Sequence, residues 1–274
     1  LERDRLAGFF AIAVGAVFDP REGRVDLGDQ LALPVTGAQL DGAIDSMREF
    51  FNHRKPGEDF GLAFRILQPQ PSAPTSLLVL LHGVGSSELS VGDLGAGLGP
   101  DTLVVLPRGP LVLGPNQAAW FRVAFTQAGP QIVEAEAENA RQTLIGFIQK
   151  MQAQYHIAPQ KTVVTGFSQG GIMSASVALS QPERVAGFGI LSGRILPELA
   201  PHLASAERLK ALQAFVGHGD FDSKLPVAWA DKSDHWLAQL NVAGESHRYP
   251  IDHGVSAAMQ ADFLHWARGV LGLG

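Results

Sequence analysis

The segment Gly166-Phe167-Ser168-Gln169-Gly170-Gly171 follows the run Thr162-Val163-Val164-Thr165 and leads into a small, apolar stretch ending at Leu179. A serine in G-x-S-x-G between a strand and a helix is the pattern of a nucleophile held on a sharp strand-to-helix bend. Such a bend brings together the residues two before and two after the serine, so both must be small; Gly166 and Gly170 meet that need. The bend also sets Ser168 at a helix amino end, where free N–H groups and the helix dipole favour negative charge. A serine hydroxyl is a weak nucleophile and needs an adjacent base. On a bend of this kind the partners follow in the chain order serine, acid, histidine.

Two later loops supply them in that order. Gly217-His218-Gly219-Asp220-Phe221-Asp222 follows Ala214-Phe215-Val216, and Pro250-Ile251-Asp252-His253-Gly254 follows His247-Arg248-Tyr249. Of the nine histidines, His253 is the expected base. His265 falls in the closing helix, His235 and His247 read as surface residues, and His218 reads as a brace for its own loop. Asp220 and Asp222 both remain candidates for the acid. Asp252 is poorly placed, because neighbouring side chains on an extended segment point apart. An acyl-transfer site also needs N–H donors for the developing oxyanion. One is the backbone N–H of Gln169. The second is assigned to Val84, with Gly85 as the neighbouring alternative, in Leu81-His82-Gly83-Val84-Gly85, where glycines allow close backbone approach.

The elements that must position these loops read as alternating strands and helices. Strands are expected at 62–67, 77–81, 102–106, 162–165, 185–191, 211–216 and 246–249, and helices at 131–154, 170–179 and 255–271. The runs Leu77 to Leu81 and Thr102 to Leu106 are continuously apolar, as in strands covered on both faces. This alternation predicts an α/β fold, a mostly parallel sheet with helices on both faces, with functional residues in loops at the carboxyl ends of the strands. Residues 1–57 form a separate compositional unit, and 58–274 the catalytic domain. In the first unit an apolar run, Ala7 to Phe18, meets the turn signal Asp19-Pro20-Arg21-Glu22-Gly23, and Gln39 to Phe51 has helical spacing. Glu2 and Asp4 offset Arg3 and Arg5, so the start reads as a strand or hairpin rather than a signal peptide, and it is too short to span a bilayer. The unit is expected to act as an extra strand and helix, a lid, or an interface arm. An edge strand there would invite pairing, which makes a homodimer an expectation.

Composition narrows the class. A net charge of −6 disfavours nucleic acid as a partner. The absence of cysteine excludes a disulfide scaffold, a thiolate nucleophile and thiolate metal sites. No HExxH motif occurs, so neither a metal nor a cofactor is expected. A cytoplasmic location is expected, with a secreted or periplasmic one as the alternative.

With these residues in place, the chain resembles the phospholipase/carboxylesterase family of α/β-hydrolases, which includes the acyl-protein thioesterases. Leu81 to Gly85 resembles its LHGLG segment, Leu106 to Pro110 its P-x-x-P segment, and Gly166 to Gly171 its GFSQGG. Trp120-Phe121 resembles its tryptophan–phenylalanine pair, although Arg122 stands where aspartate is usual. His218 to Asp222 resembles HGxxD, whose last residue is the triad acid, so the resemblance implies Asp222. His253-Gly254 resembles its terminal histidine segment. The likeness covers about residues 59–273. It implies an α/β-hydrolase fold with an added N-terminal extension, and a small-molecule carboxylic ester as substrate, with thioesters in some members. We expect short to medium acyl chains, with Trp120 and Phe121 beside the acyl group. A thioesterase or lysophospholipase is the alternative on the same fold. A non-catalytic binding protein is the rival class, disfavoured because all three triad positions are filled.

Overall fold

The computed structural model describes residues 17–19, 24–26, 60–126 and 129–273. The chain divides into two units, Leu1–Glu58 and Asp59–Gly274. In the first, β1 (Val17–Asp19) pairs antiparallel with β2 (Arg24–Asp26), on either side of the turn signal read from the sequence. The rest of the apolar run from Ala7 and the helical pattern at Gln39 to Phe51 lie outside the described residues.

The second unit is built on one seven-stranded sheet. Its strands are β3 (Phe64–Ile66), β4 (Ser76–Leu81), β5 (Thr102–Pro107), β10 (Thr162–Phe167), β11 (Gly187–Leu191), β12 (Gln213–Gly219) and β13 (Ala243–Tyr249). They lie in the order β13-β12-β11-β10-β4-β5-β3. All neighbours are parallel except the edge strand β3, which runs antiparallel to β5. The apolar runs expected to be covered on both faces are covered: every residue of β4 and β5 is buried. Alternation along β4 divides the core. Leu77, Val79 and Leu81 pack into a cluster with Leu144, Phe147 and Ile148 of α1 (Glu134–Tyr155). Leu78 and Leu80 pack into a second cluster with Met259, Phe263 and Trp266 of α5 (Ala257–Leu271). Helices therefore cover both faces, as the alternating pattern requires. The first cluster also receives Ala175 and Leu179 of α2 (Gln169–Ser180) and Leu237 of α4 (Ala228–Gln239). The short α3 (Ala206–Leu209) buries Leu209 in the same cluster.

Two small hairpins between β5 and α1 were absent from the sequence expectation. β6 (Leu111–Gly114) pairs with β7 (Gln117–Ala119), and β8 (Val123–Thr126) with β9 (Gly129–Ile132). The helix expected from residue 131 starts at Glu134 because Gln131 and Ile132 belong to β9. Among the described residues, no helix is long and apolar enough to cross a membrane.

Candidate active site

β10 ends at Phe167 and α2 begins at Gln169, so Ser168 alone makes the bend. Its backbone sits at φ 55° and ψ −116°, a region a residue with a Cβ enters only when its surroundings impose it. The surroundings are close backbone. A Cβ on Gly166 would lie 2.5 Å from the Leu81 carbonyl oxygen, and one on Gly170 would lie 2.0 Å from the same atom. The Ser168 N–H is anchored on the Leu191 carbonyl at 2.8 Å.

The expected base and acid converge on this serine although they are far apart in the chain. His253 Nε2 lies 3.0 Å from Ser168 Oγ, and His253 Nδ1 lies 2.8 Å from Asp222 Oδ2. The second oxygen of Asp222, Oδ1, accepts the N–H groups of Lys224 (2.9 Å) and Leu225 (2.7 Å). These bonds fix the carboxylate, whose side chain is buried. Asp220, the alternative acid, is exposed. Asp252 lies next to the base but accepts N–H groups instead, from Ser223 and from His253 at 2.7 Å each. The Ser223 bonds lead in holding its carboxyl low, at about 2, so it ties the acid loop to the histidine loop. Ser192, at φ 48° just past β11, donates from Oγ to the Gly254 carbonyl at 2.8 Å and fixes the same loop from the other side.

The two remaining motif histidines are buried braces. His82 Nδ1 lies 2.8 Å from the Gly83 carbonyl, and its Nε2 accepts the Gly109 N–H at 2.9 Å. Nδ1 therefore carries the proton, and burial pushes the ring below the ordinary histidine range. His218 Nε2 donates to the Leu225 carbonyl at 2.7 Å, and burial lowers its pKa too.

Gly83 and Val84 line a cavity of about 980 Å³ that also contains Ser168, Gln169 and His253. The Gly85 N–H is committed to the Ala118 carbonyl at 2.9 Å. Of the two residues read as alternatives for the second donor, Val84 lines the cavity and Gly85 is not among its lining residues. Gln169 contributes more than its N–H. Its side chain accepts the Trp120 N–H at 2.8 Å and donates to the Phe121 carbonyl at 2.7 Å. The expected aromatic pair is thus split. Phe121 lines the cavity with Val91, Leu94 and Ile172. Trp120 is not among the lining residues; fully buried, it donates from Nε1 to the His82 carbonyl at 2.9 Å and braces the Gly83–Val84 loop. Arg122 turns to Glu136 in the first turn of α1, with Nε 2.6 Å from Oε1. Sequence reasoning missed the Gln169 clamp, the Ser192 tie and the bracing role of Asp252. The only prior signal for the first was a long polar side chain at the head of an otherwise small, apolar helix.

A strained serine on a tight bend, an imidazole in reach of its hydroxyl and a buried carboxylate behind the imidazole can together activate the hydroxyl as a nucleophile. Comparison with known proteins identifies the family. The family model for phospholipases and carboxylesterases matches residues 63–267. The chain belongs to the phospholipase/carboxylesterase family. Membership assigns it to the carboxylic ester hydrolases with an α/β-hydrolase fold. Among its relatives, acyl-protein thioesterase 1 of Mycosarcoma maydis is 27% identical over 207 residues, which cover 65% of this chain and 83% of that protein. Esterase YpfH of Escherichia coli is 32% identical over 142 residues, covering 49% of this chain and 60% of the esterase. Among solved structures, esterase PE8 superposes with a TM-score of 0.67 at 27% identity, over 77% of this chain and 99% of that one. A carboxylesterase from Mesorhizobium loti shares the fold, with a TM-score of 0.66 at 18% identity over 77% of this chain and 96% of its own.

Proposed function

We propose that this protein is a serine carboxylesterase that hydrolyses small esters of short to medium acyl chains through an acyl-enzyme. The observation that carries the reading is the continuous hydrogen-bonded chain from Asp222 through His253 to Ser168, opening into the cavity. In this mechanism His253 takes the Ser168 proton as Oγ attacks the ester carbonyl. Asp222 holds the imidazole with its proton on Nδ1 and stabilises the imidazolium. The N–H groups of Gln169 and Val84 receive the oxyanion, and loss of one such donor typically costs roughly 100- to 1,000-fold in rate. His253 then protonates the leaving alcohol. Water, activated by the same base, attacks the acyl-enzyme and restores Ser168.

Phe121 and Ile172, which line the cavity, are the residues we assign to the acyl chain; Trp120 supports the oxyanion loop instead. The second reading, acyl-thioester or lysophospholipid hydrolysis by the same groups, is favoured by the likeness to acyl-protein thioesterase 1. A series of p-nitrophenyl esters of rising acyl length, run beside matched thioesters, decides between them. An optimum at short or medium oxygen esters supports the proposal. An optimum at long chains, or faster turnover of the thioesters, replaces it with the second reading. A cytoplasmic location, a homodimer, and a lid or interface role for residues 1–57 belong to the same proposal. Size exclusion of the chain with and without those residues tests the last two.

A further inference from the structure

One wall of the cavity carries a cation that makes no ion pair among the described residues. Arg194 lies in the loop after β11. Its neighbour Gly193 packs so closely on the nucleophile that a Cβ there would lie 2.9 Å from the Ser168 carbonyl oxygen. Arg194 is only 4% exposed and lines the cavity. Several other arginines face carboxylates: Arg65 and Arg108 share Glu88, Arg141 meets Glu138, and Arg248 meets Asp231 and Asp234. Arg194 does not. Among the described residues its guanidinium has no ion pair, and its Nε is buried without a hydrogen-bond partner. Glu198 acts on it only through its field, and one oxygen of Glu198 is itself buried without a partner.

A buried charge without a partner is costly to keep, and burial pushes this guanidinium below its ordinary pKa range. Trp229 offsets part of that cost, with its ring centroid 4.5 Å from Arg194 Cζ, a cation–π arrangement. Contact with a ring engages the face of the guanidinium and leaves its N–H edge for hydrogen bonding. That planar fork of donors matches a carboxylate. Lys224 adds a second cation to the cavity lining, where Asp93 is the one acid.

We propose that Arg194 is a specificity-determining residue that binds a carboxylate carried by the ester substrate, so that the site prefers anionic esters to neutral ones of the same shape. The inference rests on the esterase reading and narrows its substrate class. The carboxylate can sit on the acyl side or on the alcohol side, and two substrate pairs separate these. The acyl pair is p-nitrophenyl hemiglutarate against p-nitrophenyl pentanoate. The alcohol pair is para-carboxyphenyl butanoate against para-carbamoylphenyl butanoate.

In one of the two pairs, kcat/KM for the anionic member should exceed that of its neutral partner by roughly ten- to a hundredfold, the range of a charge-assisted hydrogen bond. Arg194→Gln should collapse that ratio toward one, and Arg194→Lys should keep part of it. A wild type that favours the neutral member in both pairs overturns the proposal, as does an unchanged ratio in Arg194→Gln. If the glutamine variant fails to fold, free glutarate serves as the probe on the wild-type protein. Glutarate should bind, by calorimetry, more tightly than pentanamide and more weakly as salt is raised; equal binding of the two overturns the proposal. The esterase reading fails separately. Hydrolysis that survives in Ser168→Ala strikes that reading, whereas Ser168-dependent turnover with an unchanged anionic ratio strikes only this one.

Discussion

Replacing Gln169 with alanine tests whether one side chain holds Trp120, the brace of the Gly83–Val84 loop, and Phe121, part of the cavity wall, together. The variant keeps the backbone N–H assigned to the oxyanion and removes only the clamp on Trp120 and Phe121. Two backbone groups lose their partners in a region where Trp120 and Phe121 are essentially inaccessible. A buried polar group left unpaired costs about 1–3 kcal/mol. Gln169 borders the cavity, so water can reach part of the vacated space, and the lower half of that range applies. The sum is roughly 2–4 kcal/mol, using the same per-group cost. At about 2–4 °C per kcal/mol for a domain of this size, melting should fall by roughly 4–16 °C. A loosened wall should also lower kcat/KM by roughly ten- to a hundredfold, since small misplacements around a reacting centre are costly. Gln169→Glu sharpens the test. Its carboxylate can accept from the Trp120 N–H but cannot donate to the Phe121 carbonyl, so it should be destabilised at neutral pH at least as much. Thermal unfolding followed by circular dichroism, with p-nitrophenyl butanoate turnover in parallel, reads both effects. If Gln169→Ala melted within about 1 °C of the wild type, the argument that buried unpaired backbone groups carry this cost would be refuted here.

Other outcomes follow from the same geometry. Asp222→Asn should keep its fold, because an amide oxygen can still accept from Lys224 and Leu225. Its amide then faces His253 Nδ1 and forces the proton onto Nε2, so kcat should fall on the order of 10⁴-fold; steady-state kinetics with less than a tenfold loss would contradict the tautomer argument. His82 and His218 are buried and held neutral by desolvation, whereas unfolded histidines titrate near about 6.5. As pH falls below that value the unfolded chain takes up protons that the native chain refuses. Stability should therefore drop on the acid side, by up to about 1.4 kcal/mol per pH unit for each histidine until its folded pKa is reached. Urea unfolding at pH 7, 6 and 5 checks the sign, and His82→Gln should flatten part of the slope; constant stability across that span would exclude it.

Much of the fold could be read from the chain because the central strands are covered on both faces. Runs such as Leu77 to Leu81 have one physical interpretation when they alternate with helical periods. The hairpins β6 to β9 escaped for the opposite reason. Their strands are three or four residues long and lie outside the main sheet. They carry neither a continuous apolar run nor a sustained alternation. Helix α4 escaped because only Ala230, Ser233 and Leu237 of its twelve residues are buried, too narrow a stripe to mark a period. At the site, Ser168 and His253 stand out by local pattern and chain order, whereas the preference for Asp222 over Asp220 rests on resemblance; in the structure Asp222 lies 2.8 Å from His253 Nδ1 and Asp220 is exposed. Gln169 meets Phe121 across 48 positions of sequence, and no local pattern encodes such a contact. Trp120 shows the converse error. An aromatic beside a cavity residue was read as a second wall, but its indole N–H needed a buried acceptor and found the His82 carbonyl.

The central claim is that Ser168 forms a covalent acyl-enzyme. It is tested most directly by intact-mass measurement after treatment with a fluorophosphonate, on the wild type and on Ser168→Ala, with p-nitrophenyl butanoate turnover measured on the same samples. The account predicts one phosphonyl adduct on the wild type, mapped to Ser168, with loss of turnover in step with labelling, and neither adduct nor turnover in the variant. An adduct on another residue, or turnover that persists in Ser168→Ala, would contradict it.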